Sequence, residues 1–147
     1  RETAEILPAP LHTPVESVDD LIECDVGRWE GLSWETIRQQ DQTYWESFEA
    51  DLANVPYADG ESFQQVQDRV VPAIERLRRE HETGDLIVVT HNVVARVYLA
   101  HVIGIPTAQA RSIRQDNAGI TVLSLAGGTT KLLTLNSTVH LEGLDPE

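Results

Sequence analysis

The fold class follows most directly from the stretch Asp85-Leu-Ile-Val-Val-Thr-His-Asn-Val-Val-Ala-Arg96. Leu86–Thr90 is a short, β-branched apolar run bounded by polar residues, which predicts a buried strand. The next segment, Asn92–Ile103, is apolar on most faces and predicts a buried helix that Gly104 and Pro106 stop. A buried strand that leads directly into a buried helix is typical of α/β proteins.

Two further helices are predicted upstream of this stretch. Ser33 is a good N-cap for a helix that reaches about Ala50. Ser62 is a second N-cap, and Gln65 stands at the spacing of a capping box. The second helix contains Pro72, which is expected to bend it.

Both ends of the chain carry further predicted elements. Arg1–Leu7 predicts the tail of a helix, which Pro8 stops. Gly119–Leu125 and Thr130–Leu135 predict two strands of a hairpin, joined at Gly127-Gly128. Helices, strand and hairpin in this order indicate an α/β layered fold, with helices around a mixed, mostly parallel sheet that ends in the hairpin.

Composition argues against several classes of function. The chain of 147 residues has the length of one domain and a net charge of −13. That charge argues against binding to nucleic acid or to anionic membranes, which requires basic patches. No apolar run approaches the length of a membrane-spanning helix. The single cysteine, Cys24, rules out an internal disulfide and fits a reducing compartment, so a cytoplasmic location is expected.

His91 is the first candidate site residue, because it lies where the predicted strand ends and the predicted helix begins. Such a position faces the usual ligand crevice of an α/β sheet, and the helix start favours a bound phosphate. His91 could donate a hydrogen bond to a phosphoryl oxygen there. The alternative is that it caps the helix or satisfies the core, and position alone does not choose between the two.

Glu23 is the second candidate, because it follows two apolar residues and precedes Cys24, which suggests partial burial. Burial raises the pKa of a carboxyl group and can keep it protonated near neutrality, as a general acid requires. The alternative is a surface glutamate at the end of a strand, which is the commoner situation for a residue of this kind.

Other polar and aromatic residues give weaker signals. Arg96 lies one helical turn beyond Asn92; it could face a phosphate, but pairing with an internal acid is the favoured interpretation. Trp29, Trp34 and Trp45 could line a pocket, although core packing is favoured. The remaining histidines show no metal-ligand spacing, so no metal site is expected.

Five segments also occur in a specific order: Leu21-Ile-Glu-Cys-Asp-Val-Gly-Arg-Trp-Glu-Gly-Leu32, Gly60-Glu-Ser-Phe-Gln-Gln-Val-Gln-Asp-Arg69, Val88-Val-Thr-His-Asn-Val-Val-Ala-Arg96, Asp116-Asn-Ala-Gly-Ile-Thr-Val122 and Leu135-Asn-Ser-Thr-Val-His-Leu141. Together they extend over most of the chain. The series resembles the motifs of the histidine phosphatase superfamily, whose fold is phosphoglycerate-mutase-like.

The resemblance implies roles for three residues. Glu23 matches the family's proton donor, which protonates the leaving group and later activates water. His91 matches the second active-site histidine, which holds and polarises the transferring phosphoryl group. Asn92 stands where the family usually has glycine; its backbone N–H would still reach the phosphate, while its side chain narrows the site. The resemblance implies a small phosphorylated metabolite as substrate and no cofactor.

One family motif has no counterpart here. The nucleophilic histidine of the family lies in an Arg-His-Gly motif near its N-terminus, and these 147 residues contain no such tripeptide. Residues 1–147 are therefore expected to be the C-terminal part of a single, incomplete histidine-phosphatase-like domain. In the complete protein the missing histidine would attack phosphorus and form a phosphohistidine. Alone, the chain is expected to be inactive and not to fold as a stable monomer.

The resemblance leaves several alternatives open. One compact helical insert separates Glu23 from His91, as in the family's small phosphatases, so a phosphate monoester hydrolase is favoured over a phosphoglycerate-type mutase. A non-catalytic remnant that binds phosphate or a partner is the other alternative. Expected partners are a complementing N-terminal segment or a second copy paired at the hairpin edge. The region Tyr44–Gly60 is expected to cover the pocket and set the substrate.

Overall fold

The computed structural model describes residues 2–6, 14–125 and 129–143. The α-helices of this part are α1 Glu2–Ile6, α2 Trp34–Gln40, α3 Gln42–Ala50, α4 Phe63–Glu80 and α5 Asn92–Ile103. The strands are β1 Ile120–Ser124 and β2 Lys131–Ser137. Short 3₁₀ helices occupy Asp19–Leu21, Gly27–Trp29, Thr107–Ser112 and Val139–Leu141.

The core forms where α4 and α5 pack on each other. The side chains of Val66 and Val70 on α4 and of Val94 and Val97 on α5 are fully buried. Burial of such aliphatic side chains stabilises the fold by about 1.5–3 kcal/mol each relative to exposure. α4 begins at the predicted capping box, which Ser62 forms with the third residue of the helix. The predicted start of this helix is therefore confirmed.

The predicted bounds of α5 are confirmed at both ends. His91 precedes the helix in an extended conformation, with φ −115° and ψ 175°. Gly104 ends the helix with φ +75°, and its N–H donates to the carbonyls of Ala100 and His101. A left-handed residue at this position favours glycine because a Cβ atom is disfavoured there.

The single helix predicted from Ser33 to about Ala50 is instead two helices, α2 and α3. Asp41 separates them, with φ −136° and ψ 39°. Its carboxylate accepts hydrogen bonds from the guanidinium of Arg28 at 2.6 Å and from Trp29 Nε1 at 3.1 Å. Contacts that are distant in sequence thus determine where the first helix ends, and helical periodicity does not reveal them.

An aromatic cluster packs the helical insert onto the loop before α2. Trp29 is only 4% exposed, and its ring meets those of Tyr44, Phe48 and Tyr57 edge to face. Such edge-to-face pairs contribute about 0.5–1.5 kcal/mol each beyond the area they bury. The favoured core role is confirmed for Trp29, whereas the side chain of Trp34 is exposed at the surface.

The sheet differs from the one that the sequence predicted. In the described part of the chain it consists of β1 and β2 alone, which pair antiparallel as the hairpin prediction required. The predicted joint, Gly127-Gly128, lies outside the described residues. Leu86–Thr90 does not form the predicted buried strand, so a mostly parallel sheet is not what these residues build. The physical reason is that no described strand lies beside this segment to pair with its backbone.

Apolar side chains remain exposed where the predicted sheet does not form. Ile87 is 60% exposed, and Leu86 and Val89 are exposed beside it. Several side chains of β1 and β2 are exposed as well, including Val122 and Leu133. Within the described ranges, no helix is both long and apolar enough to cross a bilayer.

Candidate active site

Two segments that are distant in sequence meet at the start of α5. The backbone N–H of Val93 donates to Glu23 Oε2 at 3.3 Å. The hydroxyl of Thr90 donates to the carbonyl of Leu21 at 3.1 Å. The structure therefore brings the half-buried carboxylate of Glu23 to the first turn of the helix that His91 precedes. Partial burial of Glu23 agrees with the sequence prediction.

His91 and Asn92 are both exposed at this helix start. The side chain of His91 makes no capping hydrogen bond, so it neither caps α5 nor fills the core. The amide of Asn92 donates to the carbonyl of Gln115 at 3.1 Å and ties the helix start to the loop before β1. An anion bound here would meet an exposed imidazole and the positive end of the helix dipole.

Arg69, on α4, holds the backbone of the loop that presents Glu23. Its Nη1 donates to the carbonyls of Asp20 at 2.7 Å and Ile22 at 3.0 Å. Its Nη2 donates to the carbonyl of Glu23 itself at 3.2 Å. The rigid fork of a guanidinium suits three such acceptors, whereas the single ammonium group of a lysine does not reproduce it.

Glu61 completes this arrangement, which we call the Glu61–Arg69 clamp. Its carboxylate accepts two hydrogen bonds from Arg69, each at 2.8 Å, and a third from the N–H of Asp25 at 3.0 Å. The Arg69 guanidinium is the main reason that the pKa of Glu61 lies below its usual range. In turn Glu61 raises the pKa of Arg69, so both groups stay charged and the loop stays tied to α4.

Close packing of two loops also requires glycine at two positions. A Cβ atom on Gly27 would lie 2.1 Å from the carbonyl oxygen of Ala58, and the φ of Gly27 is +54°. A Cβ atom on Gly60 would lie 2.2 Å from the carbonyl oxygen of Asp25. Any larger residue at either position would therefore require the backbone of these two loops to shift.

Cys24, beside Glu23, is the thiol nearest to the site. It is buried, and burial is the largest cause that raises its pKa to about 12, with the charges of Glu61 and Glu23 adding to the effect. A thiol with this pKa is protonated at neutral pH, and the thiolate is the nucleophilic form. Cys24 is therefore poorly suited to replace the family's histidine nucleophile.

A second polar pair fixes the loop that contacts Asn92. The amide of Asn136 donates to Asp116 Oδ2 at 2.9 Å, and its oxygen accepts from the N–H of Asp116 at 2.8 Å. Gly119 allows this contact, since a Cβ atom there would lie 2.2 Å from Asn136 Oδ1. Asp116 and Asn136 belong to two different motif segments and are twenty residues apart in the sequence. Their pair holds the loop whose Gln115 carbonyl accepts the hydrogen bond from Asn92 at the start of α5.

Arg96 does not have the internal acid partner that the sequence favoured. Its side chain is half-buried, and its Nε is buried without a hydrogen-bond partner among the described residues. The expected pair is not found, since Arg96 takes no part in the ion pairs of the described residues. The alternative interpretation, that Arg96 faces a bound anion, becomes the one to test.

Two shallow pockets lie at the helical insert. Their volumes are about 270 and 190 Å³, and Trp29 lines both. Tyr57 lines the smaller one. Whether Tyr44–Gly60 covers the site that holds the substrate stays a prediction. Neither pocket includes Glu23 or His91. In residues 2–6, 14–125 and 129–143, no three His, Cys, Asp or Glu side chains gather as a possible metal site.

The sequence predicted the Glu23–His91 pair but missed what holds it. Glu61 and Arg69 stand in one of the motif segments, yet nothing in that segment shows that Arg69 reaches the carbonyl of Ile22. An acid at the start of a helix and an arginine two turns later would suggest contact along the helix. Their joint attachment to the Glu23 loop is a tertiary feature.

Comparison with known proteins now identifies the family. The family model described as histidine phosphatase superfamily, branch 1, matches residues 1–138. The chain belongs to this superfamily. Its membership confirms the resemblance that the five motif segments indicated.

The relatives and solved structures that resemble the chain include proteins named as phosphatases. Phosphoserine phosphatase 1 of Hydrogenobacter thermophilus is 28% identical over 84% of the chain, and the chain spans 58% of that relative. Bacillus stearothermophilus YhfR is 28% identical with a TM-score of 0.85, over 96% of this chain and 70% of that one. The α-ribazole phosphatase of Shigella flexneri is 25% identical with a TM-score of 0.80, over 92% and 67% of the two chains.

Proposed function

We propose that the chain is the larger part of a phosphate monoester hydrolase that acts through a phosphohistidine intermediate. The nucleophilic histidine lies outside these 147 residues. The hydrogen bond from Val93 N–H to Glu23 supports this most directly, because it places a carboxylate at the helix start beside His91. Membership of the superfamily supports the same reaction class.

In this proposal the phosphoryl group binds at the start of α5. His91 donates a hydrogen bond to a phosphoryl oxygen, and the backbone N–H of Asn92 donates a second one. The positive end of the helix dipole favours the negative charge that spreads over the phosphoryl oxygens in the transition state. Arg69 lies near Glu23, but its guanidinium is already paired with Glu61 and bonded to the Glu23 carbonyl. Arg69 is therefore not free to bind the phosphoryl group.

Glu23 then acts twice. As the histidine nitrogen attacks phosphorus, the bond from phosphorus to the leaving oxygen breaks, and the Glu23 carboxyl gives its proton to that oxygen. In the second step the Glu23 carboxylate takes a proton from water, which attacks phosphorus and breaks the nitrogen–phosphorus bond. Phosphate leaves and the histidine is regenerated. No metal takes part in either step.

The proposal includes a segment that carries Arg-His-Gly and lies beside Leu86–Thr90. Its support is the exposure of Ile87 and Val89, which are apolar residues with strand propensity. Such a segment would pair with the free backbone and cover these side chains. The substrate is a small phosphorylated metabolite, and the single buried cysteine fits a cytoplasmic location.

The test is co-expression of these 147 residues with an N-terminal segment that carries Arg-His-Gly, followed by an assay of phosphate release. We expect hydrolysis of alkyl phosphates, and a fall of about 10²- to 10⁴-fold in kcat for Glu23→Gln. The fall should be smaller for p-nitrophenyl phosphate, whose leaving group needs little protonation. Exposed Glu82 provides a matched control, Glu82→Gln, which should not change the rate.

The same assay separates the alternatives. A mutase would return the phosphoryl group to a second hydroxyl of the substrate rather than release it. A non-catalytic remnant would bind phosphorylated ligands and release no phosphate even with the complementing segment. Equal rates for the wild type and Glu23→Gln would contradict the role proposed for Glu23.

A further inference from the structure

Glu23 lies in a loop between two short 3₁₀ helices, Asp19–Leu21 and Gly27–Trp29. Loops are more mobile than the elements they connect unless other contacts hold them. Two backbone groups bind the carboxylate: Oε1 accepts from the N–H of Cys24 at 2.9 Å, and Oε2 accepts from the N–H of Val93 at 3.3 Å. The first bond lies within the loop, and the second relates the carboxylate to α5. The distance between the carboxylate and the start of α5 therefore depends on what holds the loop.

The Glu61–Arg69 clamp holds this loop on both sides of Glu23. The carbonyl groups that Arg69 binds are those of Asp20, Ile22 and Glu23. On the other side, the carboxylate of Glu61 accepts from the N–H of Asp25 at 3.0 Å, and the N–H of Glu61 donates to the carbonyl of Asp25 at 2.8 Å. All of these loop contacts lie within three residues of Glu23, so the clamp fixes the segment that carries the carboxylate.

A second ion pair on α4 shows that this arrangement is particular to Arg69. Arg78 pairs with Glu75 at 2.7 Å, and both residues lie on α4. The two pairs are similarly buried, with side-chain exposures of 19% and 25% for Arg69 and Glu61 and of 25% and 29% for Arg78 and Glu75. The Arg78 pair therefore acts within one helix, whereas the Arg69 pair joins the helix to the candidate site.

We propose that Arg69 is a positioning residue that acts on the reaction through Glu23. This inference rests on the proposed function, in which Glu23 is the proton donor. The rigid fork of the guanidinium fixes the loop, and so it fixes the distance from the Glu23 carboxyl group to the leaving oxygen. A proton donor must lie within hydrogen-bond reach, and a misplacement of about 1 Å can lower a rate by about 10²-fold. Loss of Arg69 should weaken proton donation and leave the attack on phosphorus unchanged.

Two phosphate esters that both carry an aromatic ring separate proton donation from the rest of the reaction. Benzyl phosphate releases an alkoxide, which needs a proton, whereas p-nitrophenyl phosphate releases a stable phenolate. In the co-expressed complex, Arg69→Met should lower kcat/KM for benzyl phosphate by about 10²-fold and that for p-nitrophenyl phosphate by less than about threefold. Arg69→Lys should show the same pattern with a smaller loss, because one ammonium group does not replace the fork. Retained turnover of p-nitrophenyl phosphate would show that each variant is folded.

A double-mutant cycle decides whether Arg69 acts through Glu23. In the Glu23→Gln background, Arg69→Met should lower kcat/KM for benzyl phosphate by less than about threefold, because the proton donor is already lost. Arg78→Met provides the matched control, since it breaks a similarly buried ion pair on the same helix. It should leave the ratio of the two kcat/KM values within about twofold of the wild type.

Hydrogen exchange measures the position of the carboxylate without turnover. Val93 is the second residue of α5, and the first N–H groups of a helix have no acceptor within the helix. Protection of the Val93 amide in the complex therefore reports its bond to Glu23. Arg69→Met should make this amide exchange about tenfold faster or more, while the amide of Val97, inside α5, should not change. Arg78→Met should leave both amides unchanged.

Three results would overturn the inference. The first is an equal loss of kcat/KM for the two esters in Arg69→Met, or a changed ratio in Arg78→Met as well. The second is a loss in the double variant that equals the product of the two single losses. The third is unchanged exchange of the Val93 amide in Arg69→Met. If the wild-type complex released no phosphate from either ester, the proposed hydrolysis would be refuted, and the exchange of Val93 would decide whether Arg69 positions Glu23.

Discussion

Leu86–Thr90 and α5 follow one another in the chain and are similarly apolar, but they end in different environments. Val94 and Val97 of α5 are fully buried, whereas Ile87 is 60% exposed. A helix pairs its own backbone groups, so α5 needs only an apolar surface to pack against. A strand must take its hydrogen bonds from a neighbour, and the described residues offer none to Leu86–Thr90. An apolar pattern therefore specifies burial only when the partner is present.

The largest effect on stability should come from a charge placed in α5, compared with the same charge placed in Leu86–Thr90. Val94→Asp puts an unpaired carboxylate into the core and should lower the free energy of unfolding by more than about 4 kcal/mol. Ile87→Asp should leave the stability of the 147 residues nearly unchanged, because its side chain already meets water. Circular dichroism during urea titration measures both. A wild type with no cooperative transition would instead support the expectation that the 147 residues alone are not a stable monomer.

The same pair of variants sharpens the comparison when the Arg-His-Gly segment is present. Ile87→Asp should then weaken the association of that segment by more than tenfold, since a charge would replace an apolar contact. If Ile87→Asp destabilised the 147 residues as much as Val94→Asp, the exposed state of Leu86–Thr90 would be contradicted.

The next largest effect on stability should come from the Glu61–Arg69 clamp. It joins segments that are distant in sequence, and Leu86–Thr90 has no comparable set of contacts among the described residues. Arg69→Met leaves the carboxylate of Glu61 and three backbone carbonyls without their donors. We expect a loss of about 2–3 kcal/mol, because the pair is mostly but not fully buried. Arg76→Met breaks only an exposed pair with Glu80 and should have little effect. Similar losses in the two variants would argue against the clamp.

A pH dependence of stability should come from the same clamp. The folded pKa of Glu61 lies below its usual value of 4.5, so the unfolded state binds more protons in this range. The contribution of Glu61 is therefore fully present above about pH 4.5 and is lost as pH falls through the folded pKa. Urea midpoints between pH 7 and pH 3 should fall less steeply in Glu61→Gln. Identical slopes would mean that other carboxylates cause the acid sensitivity.

The smallest effect should be that of Asn92, which ties the start of α5 to the next loop. Asn92→Ala removes the hydrogen bond to the carbonyl of Gln115 and should cost about 0.5–1 kcal/mol. Thermal unfolding measures this loss. Asn54→Ala, which removes an exposed amide that contacts Asp51, provides a comparison on a loop. A loss above that of Arg69→Met would show that the helix start depends on Asn92 more than on the clamp.

Much of the local structure was predictable from the sequence. Ser62 with Gln65 predicted the start of α4, and Gly104 predicted the end of α5, because caps act within one helical turn. The break at Asp41 was not predictable, since Arg28 and Trp29 hold that residue from another segment. The β1–β2 hairpin was predictable, whereas the failure of Leu86–Thr90 to form a strand was not, because pairing depends on a neighbour.

The candidate site divides in the same way. The motif segments predicted Glu23, His91 and Asn92 as site residues, and that assignment and their roles stay a proposal. The contact between Val93 and Glu23, however, became visible only in the folded chain. For Arg96 the sequence predicted a contact that the structure does not show. Pairing with an internal acid was favoured, but the Nε of Arg96 has no partner among the described residues.

The sequence by itself determined the superfamily, the start of α4, the bounds of α5 and the chemical types available at the site. These features depend on residue order and on interactions within a few positions. Only the tertiary structure decided that Arg69 ties the Glu23 loop to α4 and that Leu86–Thr90 is left exposed. Both depend on which distant groups satisfy backbone and charged atoms, and that matching is made in three dimensions.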